Sequence, residues 1–158
     1  PPDAPPTDLR QQNSRPAHAL PELETRILTA LFDAPGLFVS EEATTFAELL
    51  ADPDLQSIFR HAASMVEIAG SIDAPELLQE LADNPAREWL VTSLSSDRAL
   101  EPEAARSMLA DGVRRLRLRE KERQSLTLKR EIQVALRAGN LELARELTLR
   151  RDDLGSRG

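Results

Sequence analysis

No proline follows Pro102. From there to Arg137 the chain is made of good helix formers, interrupted only by Gly112. Ala138-Gly139-Asn140 then reads as a helix stop followed at once by an N-cap, and a second helical run extends from Leu141 to about Asp153. A helix over 102–137 is roughly 54 Å long at 1.5 Å per residue, too long for a small domain to cover. This stretch constrains the fold more than any other. It predicts one long helix, a tight tip and a returning helix.

The apolar residues of the long helix do not make one stripe. Ala105, Met108, Leu109, Val113 and Leu116 belong to its first half, and Leu128, Ile132, Ala135 and Leu136 to its second. At about 100° per residue the second set is rotated by roughly 120° from the first. The front half should therefore pack on elements upstream. The back half should pack on the returning helix, where Leu143, Ala144, Leu147 and Leu154 share a face. The expectation is a helical bundle over 22–116 of about five to six helices. It shares its last helix with a projecting hairpin over 117–158.

Leu and Ala dominate a composition that is 41% hydrophobic and 3% aromatic, which favours helix over sheet and suits one modest domain with an appendage. Cysteine is absent, so disulfide and thiol chemistry are excluded, and a cytoplasmic setting is expected. No apolar run is long enough to cross a membrane, and the N-terminus lacks a signal-peptide pattern. The charge is unevenly divided. Residues 1–100 hold 6 Lys/Arg against 17 Asp/Glu, net −11, while residues 101–158 hold 14 against 10, net +4. An acidic front half is repelled by nucleic acid; the tail is mildly basic.

Six of the eleven prolines fall in residues 1–21, which read as a flexible linker and suggest a piece of a longer protein. The first helix is expected over about 22–33, with Leu23, Ile27, Leu28, Leu31 and Phe32 on one side and Asp33-Ala34-Pro35-Gly36 as its stop. Ser40 caps a second, ending near Leu50, with Phe46, Leu49 and Leu50 inward. Asp52-Pro53 opens a third, carrying Leu55, Ile58, Phe59, Ala62, Val66 and Ala69 up to Gly70. Asp73-Ala74-Pro75 starts a fourth with Leu77, Leu78 and Leu81. Asn84-Pro85 starts a fifth with Trp89, Leu90 and Leu94, where Trp89 is expected in the core. With no alternating run and no internal repeat, the fold class is all-α.

Catalytic chemistry is hard to find. His18 lies in the linker and His61 stands on the third helix without a second His or Cys nearby, too few ligands for a metal. The carboxylate pairs Glu41/Glu42, Asp52/Asp54 and Asp152/Asp153 sit at helix ends, where capping and the helix dipole account for them. There is no phosphate-binding glycine loop and no Ser/His/Asp arrangement, so the chain reads as non-enzymatic and needs no cofactor. Arg114, Arg115, Arg117, Arg119, Lys121 and Arg123 wrap around the long helix, without aromatics and with Glu120 and Glu122 among them. A solvated helix face, a charged strip facing a partner and a nucleic-acid contact are all open readings of that run. On the returning helix, Leu141 and Leu149 point away from the inward face, beside Arg145 and Thr148.

Several stretches together resemble a known family. Leu23-Glu24-Thr25-Arg26-Ile27-Leu28-Thr29-Ala30-Leu31-Phe32-Asp33-Ala34-Pro35 follows a Pro-rich linker. Next come Ala51-Asp52-Pro53-Asp54-Leu55-Gln56-Ser57-Ile58-Phe59, then an Arg-rich long helix ending in Ala138-Gly139-Asn140-Leu141-Glu142 and a Leu-rich finish. Their order and spacing resemble the C-terminal domain of bacterial DnaG-type primases, over about residues 20–158. The resemblance implies a helicase-interaction domain, monomeric in isolation. Its hairpin would dock on the N-terminal domains of the hexameric DnaB-type replicative helicase, at the fork in the cytoplasm. Catalysis and zinc-dependent template recognition would lie in other domains of a parent DNA primase. Carried onto this chain, the docking residues are Leu136, Asn140, Leu141, Arg145, Thr148 and Leu149. Arg114, Arg115, Arg117, Arg119 and Arg123 form a candidate charged strip. The helicase's own N-terminal domain resembles the same pattern in fold, and a single-stranded nucleic-acid-binding helical module is a further alternative.

Overall fold

The computed structural model describes residues 15–16, 19–97 and 99–156. His18 and most of the expected linker lie outside the described residues. Among those described, the chain is all-α with no strand: α1 (Glu22–Asp33), α2 (Glu41–Leu49), α3 (Pro53–Ala69), α4 (Ala74–Glu80), α5 (Arg87–Leu94), α6 (Pro102–Arg137) and α7 (Leu141–Ser156), plus a short 3₁₀ turn at Pro35–Val39. Two compact units divide it, Pro1–Val113 and Arg114–Gly158, with the boundary inside α6.

In the first unit the helix starts are set by local chemistry. The Ser40 hydroxyl accepts from the Ala43 amide at 3.2 Å. Asp52 Oδ1 accepts from the amides of Asp54 and Leu55 at 3.0 and 3.2 Å. Asp73 Oδ1 accepts from the Glu76 amide at 3.0 Å. Each satisfies amides that the first helical turn leaves unpaired. Gly70, at φ +77, closes α3 in the left-handed region that side chains avoid. Asn84 behaves differently from expectation. Its Oδ1 accepts from the Ala86 amide at 2.8 Å and its Nδ2 donates to the Asp54 carbonyl at 3.0 Å, so it builds a turn and α5 begins only at Arg87.

The core of this unit is Ile27, Leu28, Leu31, Phe46, Leu50, Leu55, Ile58, Leu77, Leu90 and Leu109, all essentially inaccessible. Three inward assignments are corrected: Ala69 is exposed, on the last turn of α3, and Leu49 and Trp89 are half-buried. Trp89 is too large to be enclosed by so short a helix as α5, whose fully buried position is Leu90. Residues 35–39 do more than end α1. The 3₁₀ turn drives Leu37 and Phe38 inward, and Phe38 lies 5.4 Å from both the Phe32 and Phe59 rings, with Phe59 5.9 Å from Phe46. All four phenylalanines form one chain of tilted and edge-on contacts, each worth about 0.5–1.5 kcal/mol beyond its burial.

Arg15 joins the bundle. Its Nη1 donates to Asp52 Oδ2 at 2.7 Å and to Asp54 Oδ2 at 2.8 Å, and its amide donates to the Pro85 carbonyl at 2.9 Å. Those contacts tie the chain ahead of α1 to the start of α3 and to the turn before α5; Leu20 is buried.

The first half of α6 packs as its stripe dictates, with Ala105, Leu109 and Val113 buried. Gly112 lies on the same side, and it is not a break: α6 is helical throughout. A Cβ on Gly112 would stand 2.5 Å from Ile27 Cγ1 and closer still to Cδ1. Glycine allows α6 to touch α1 there.

In the second unit, α6 ends in a paired turn. The Gly139 amide donates to the Leu136 carbonyl and the Asn140 amide to the Ala135 carbonyl, at 3.1 and 2.9 Å, with Gly139 at φ +72. This is the Schellman arrangement, which satisfies carbonyls left over at a helix end. Asn140 Oδ1 then accepts from the Leu143 amide at 3.1 Å and caps α7. Ala135, Ala144 and Leu147 are buried together, with Leu128 and Ile132 partly covered beside them. Leu143, expected inward, is 41% exposed, and Leu136 is 51% exposed. The seam is closed by two alanines, so it is narrow and both leucines fall beyond its edge.

Candidate partner-docking surface

Among the described residues, seven of the nine exposed large apolar side chains belong to the second unit: Leu118, Leu126, Val134, Leu136, Leu141, Leu143 and Leu149. Only Val39 and Ile68 belong to the first, although it is the larger unit. Single exposed leucines are ordinary; the second unit carries most of those described while burying only a small core of its own.

The proposed docking residues separate by what their side chains do. Leu141 and Leu149 are 69% and 64% exposed and face away from Ala144 and Leu147. They lie two turns apart on α7, about 12 Å along the axis. Arg145 is exposed between them. Asn140 is engaged in the α7 cap. The Thr148 hydroxyl donates to the Ala144 carbonyl at 2.8 Å, so it serves its own helix. Leu136 borders the tip. Val134, 65% exposed, was not anticipated as part of this surface; in the sequence it is hidden among core-like neighbours, and only the helical register separates it from Ala135.

All five arginines of the candidate strip, Arg114, Arg115, Arg117, Arg119 and Arg123, are exposed. Arg123 makes a two-pronged ion pair with Glu120 (2.9 and 2.6 Å), and Gln124 donates to the same carboxylate at 2.9 Å. The Arg123 guanidinium holds the Glu120 carboxyl below its ordinary value, and Glu120 in turn raises Arg123. Such a pair on an open helix face takes a cation out of the strip without adding much stability.

The cavities are modest. A cleft of about 290 Å³ between α6 and α7 is lined by Arg123, Gln124, Thr127, Leu128, Glu131, Arg150 and Leu154. A slot of about 180 Å³ in the first unit is lined by Ala47, Leu50, Gln56, Phe59 and Arg60. Neither holds a nucleophile beside a base. His61 sits half-buried with Nδ1 2.7 Å from the Ser57 carbonyl of its own helix. Among the described residues no group of three or more His, Asp or Glu side chains is placed to hold a metal ion, and no helix is long and apolar enough to cross a membrane. No protein-family profile, curated protein or solved structure matches the chain.

Proposed function

We propose that this chain is a non-catalytic protein-interaction domain, akin to the primase C-terminal domain it resembles, that recruits its parent protein to the hexameric replicative helicase through the outer face of α7 and the α6–α7 tip. One observation carries the reading: Leu141 and Leu149 stand outward on a helix pair whose opposite face already supplies its own core. Arginine is enriched among the side chains that dominate interface energy, and Leu141 and Leu149 flank Arg145 with apolar area that would exclude water around it. The contact area of one helix face is limited, so moderate affinity is expected. On this reading the parent is a DNA primase working in the cytoplasm at replication forks, with its catalytic chemistry elsewhere in the protein.

The test is co-elution of the chain with the hexameric replicative helicase of the same organism. Co-elution should be lost with Leu141→Ser/Leu149→Ser while thermal unfolding is unchanged, because neither side chain is buried. Retention of binding by that variant would remove α7 from the interface. Absence of co-elution at tens of micromolar by a folded chain would remove the helicase reading.

A further inference from the structure

Because α6 is one helix, its register continues past the arginine cluster to the tip. Arg115, Arg119, Glu122, Leu126, Arg130, Gln133 and Arg137 follow one another at spacings of three and four, and all are exposed. They lie on the side of α6 opposite Leu128, Ile132 and Ala135, which face α7. The run 114–123 wraps around the helix, but this longer line does not. It is a ridge about 33 Å long with four arginines and one carboxylate. Over 114–137 there are 9 Lys/Arg and 3 Asp/Glu, net +6. The second unit as a whole is also +6, with 13 against 7, whereas residues 1–113 hold 7 against 20, net −13.

Resting on the docking reading above, we infer that the partner surface received by this unit is an acidic protein surface that runs along the Arg115–Arg137 ridge. The occupant follows from charge complementarity. Guanidinium groups spaced along a helix pair with carboxylates in two-pronged geometry. Leu126, 48% exposed in the middle of the ridge, with Val134 and Leu118 at its sides, offers apolar contacts that a phosphate backbone does not reward. The second unit has no aromatic side chain on which a base could stack. A second copy of the chain has the opposite charge in its first unit, but the described surface of that unit exposes only Val39 and Ile68 as large apolar groups. The acidic partner acts mainly on encounter: opposite fields speed association and are screened by salt.

Binding of the whole chain to immobilised helicase hexamer is followed at about 30, 100 and 300 mM salt, where the screening length shrinks from roughly 18 to 6 Å. The association rate should fall about tenfold or more across that range, and the dissociation rate far less. Arg130→Glu/Arg137→Glu should slow association at low salt and flatten its salt dependence. Glu76→Gln/Glu80→Gln/Asp83→Asn, which reduces the negative charge of the first unit at exposed positions, should speed it. Binding that is flat in salt, or that quickens with the arginine reversals, overturns the acidic partner while leaving the α7 anchor standing. Capture by the ridge of a single-stranded oligonucleotide, or salt-sensitive self-association in sedimentation, lost in each case with the arginine reversals, assigns the ridge to that occupant and overturns it too. No binding at any salt overturns the helicase reading and this inference together.

Discussion

Replacing Gly112 by alanine sets two effects of known sign against each other. In an exposed helix interior the change stabilises by about 1 kcal/mol. Here the new methyl would stand 2.5 Å from Ile27 Cγ1, and Ile27 is fully enclosed, with no solvent into which to turn. Forcing an extra carbon into a packed contact costs about 1–3 kcal/mol. The net expectation for Gly112→Ala is a loss of about 1 kcal/mol. Ile27→Ala costs about 2–5 kcal/mol by itself because it leaves a cavity. In that background Gly112→Ala should reverse sign and recover about 1 kcal/mol, since the methyl now enters vacated space. The coupling between the two sites is thus about 2 kcal/mol, well outside ordinary additivity error. Denaturant unfolding of the four proteins measures it. If Gly112→Ala raises stability equally in both backgrounds, the close approach of α6 to α1 is not the reason for a glycine there.

The remaining expectations concern caps, seam and charge. Asp52→Ala removes the α3 cap and one oxygen acceptor of Arg15, and should cost about 1–2 kcal/mol in thermal or denaturant unfolding. Arg15→Ala should cost less, but it should speed hydrogen exchange at the Arg15-bound segment around Ala19 and Leu20, because a partly exposed pair contributes little to global stability. Leu147→Ala should weaken the α6–α7 pairing by about 2–3 kcal/mol, read as lost exchange protection in 141–156 with the first unit's protection unchanged. Glu120 should titrate below the ordinary carboxylate value of 4.5, and Arg123→Ala should move it back up. A lowered folded value means that the pair's small contribution is present above that ordinary value and lost as pH falls through the depressed one. A Glu120 midpoint unmoved by Arg123→Ala would refute the pairing.

Those features divide by how far their causes reach along the chain. Caps were legible because cause and effect lie within four residues: Ser40, Asp52, Asp73 and Asn140 each bond amides one turn away. The order of the seven described helices followed from these and from the apolar periodicity. What was not legible depended on distant contacts. Pro35-Gly36 reads as a stop, and nothing local says that Phe38, two residues on, must meet Phe59. Gly112 reads as a weak point in a helix until Ile27 is seen against it. Asn84 looks like a cap, yet its amide group bridges to Asp54 and moves the start of α5 to Arg87.

The proposed docking surface divides in the same way. Outward leucines on α7 follow from its register, but the work of Asn140 and Thr148 does not, because their residue types suit a partner contact and a backbone contact equally. Their hydrogen bonds to their own helix set them apart from Leu141, Arg145 and Leu149, the other proposed contacts on α7, which are exposed. The arginines make the converse case. Taken as the cluster 114–123 they point in every direction, and Arg123 is already paired. Only an unbroken α6 aligns Arg115 and Arg119 with Arg130 and Arg137, so the ridge exists because Gly112 and the polar stretch 117–124 leave the helix whole. The close contact with Ile27 that favours glycine at position 112 lies on the same uninterrupted helix that lines up the ridge.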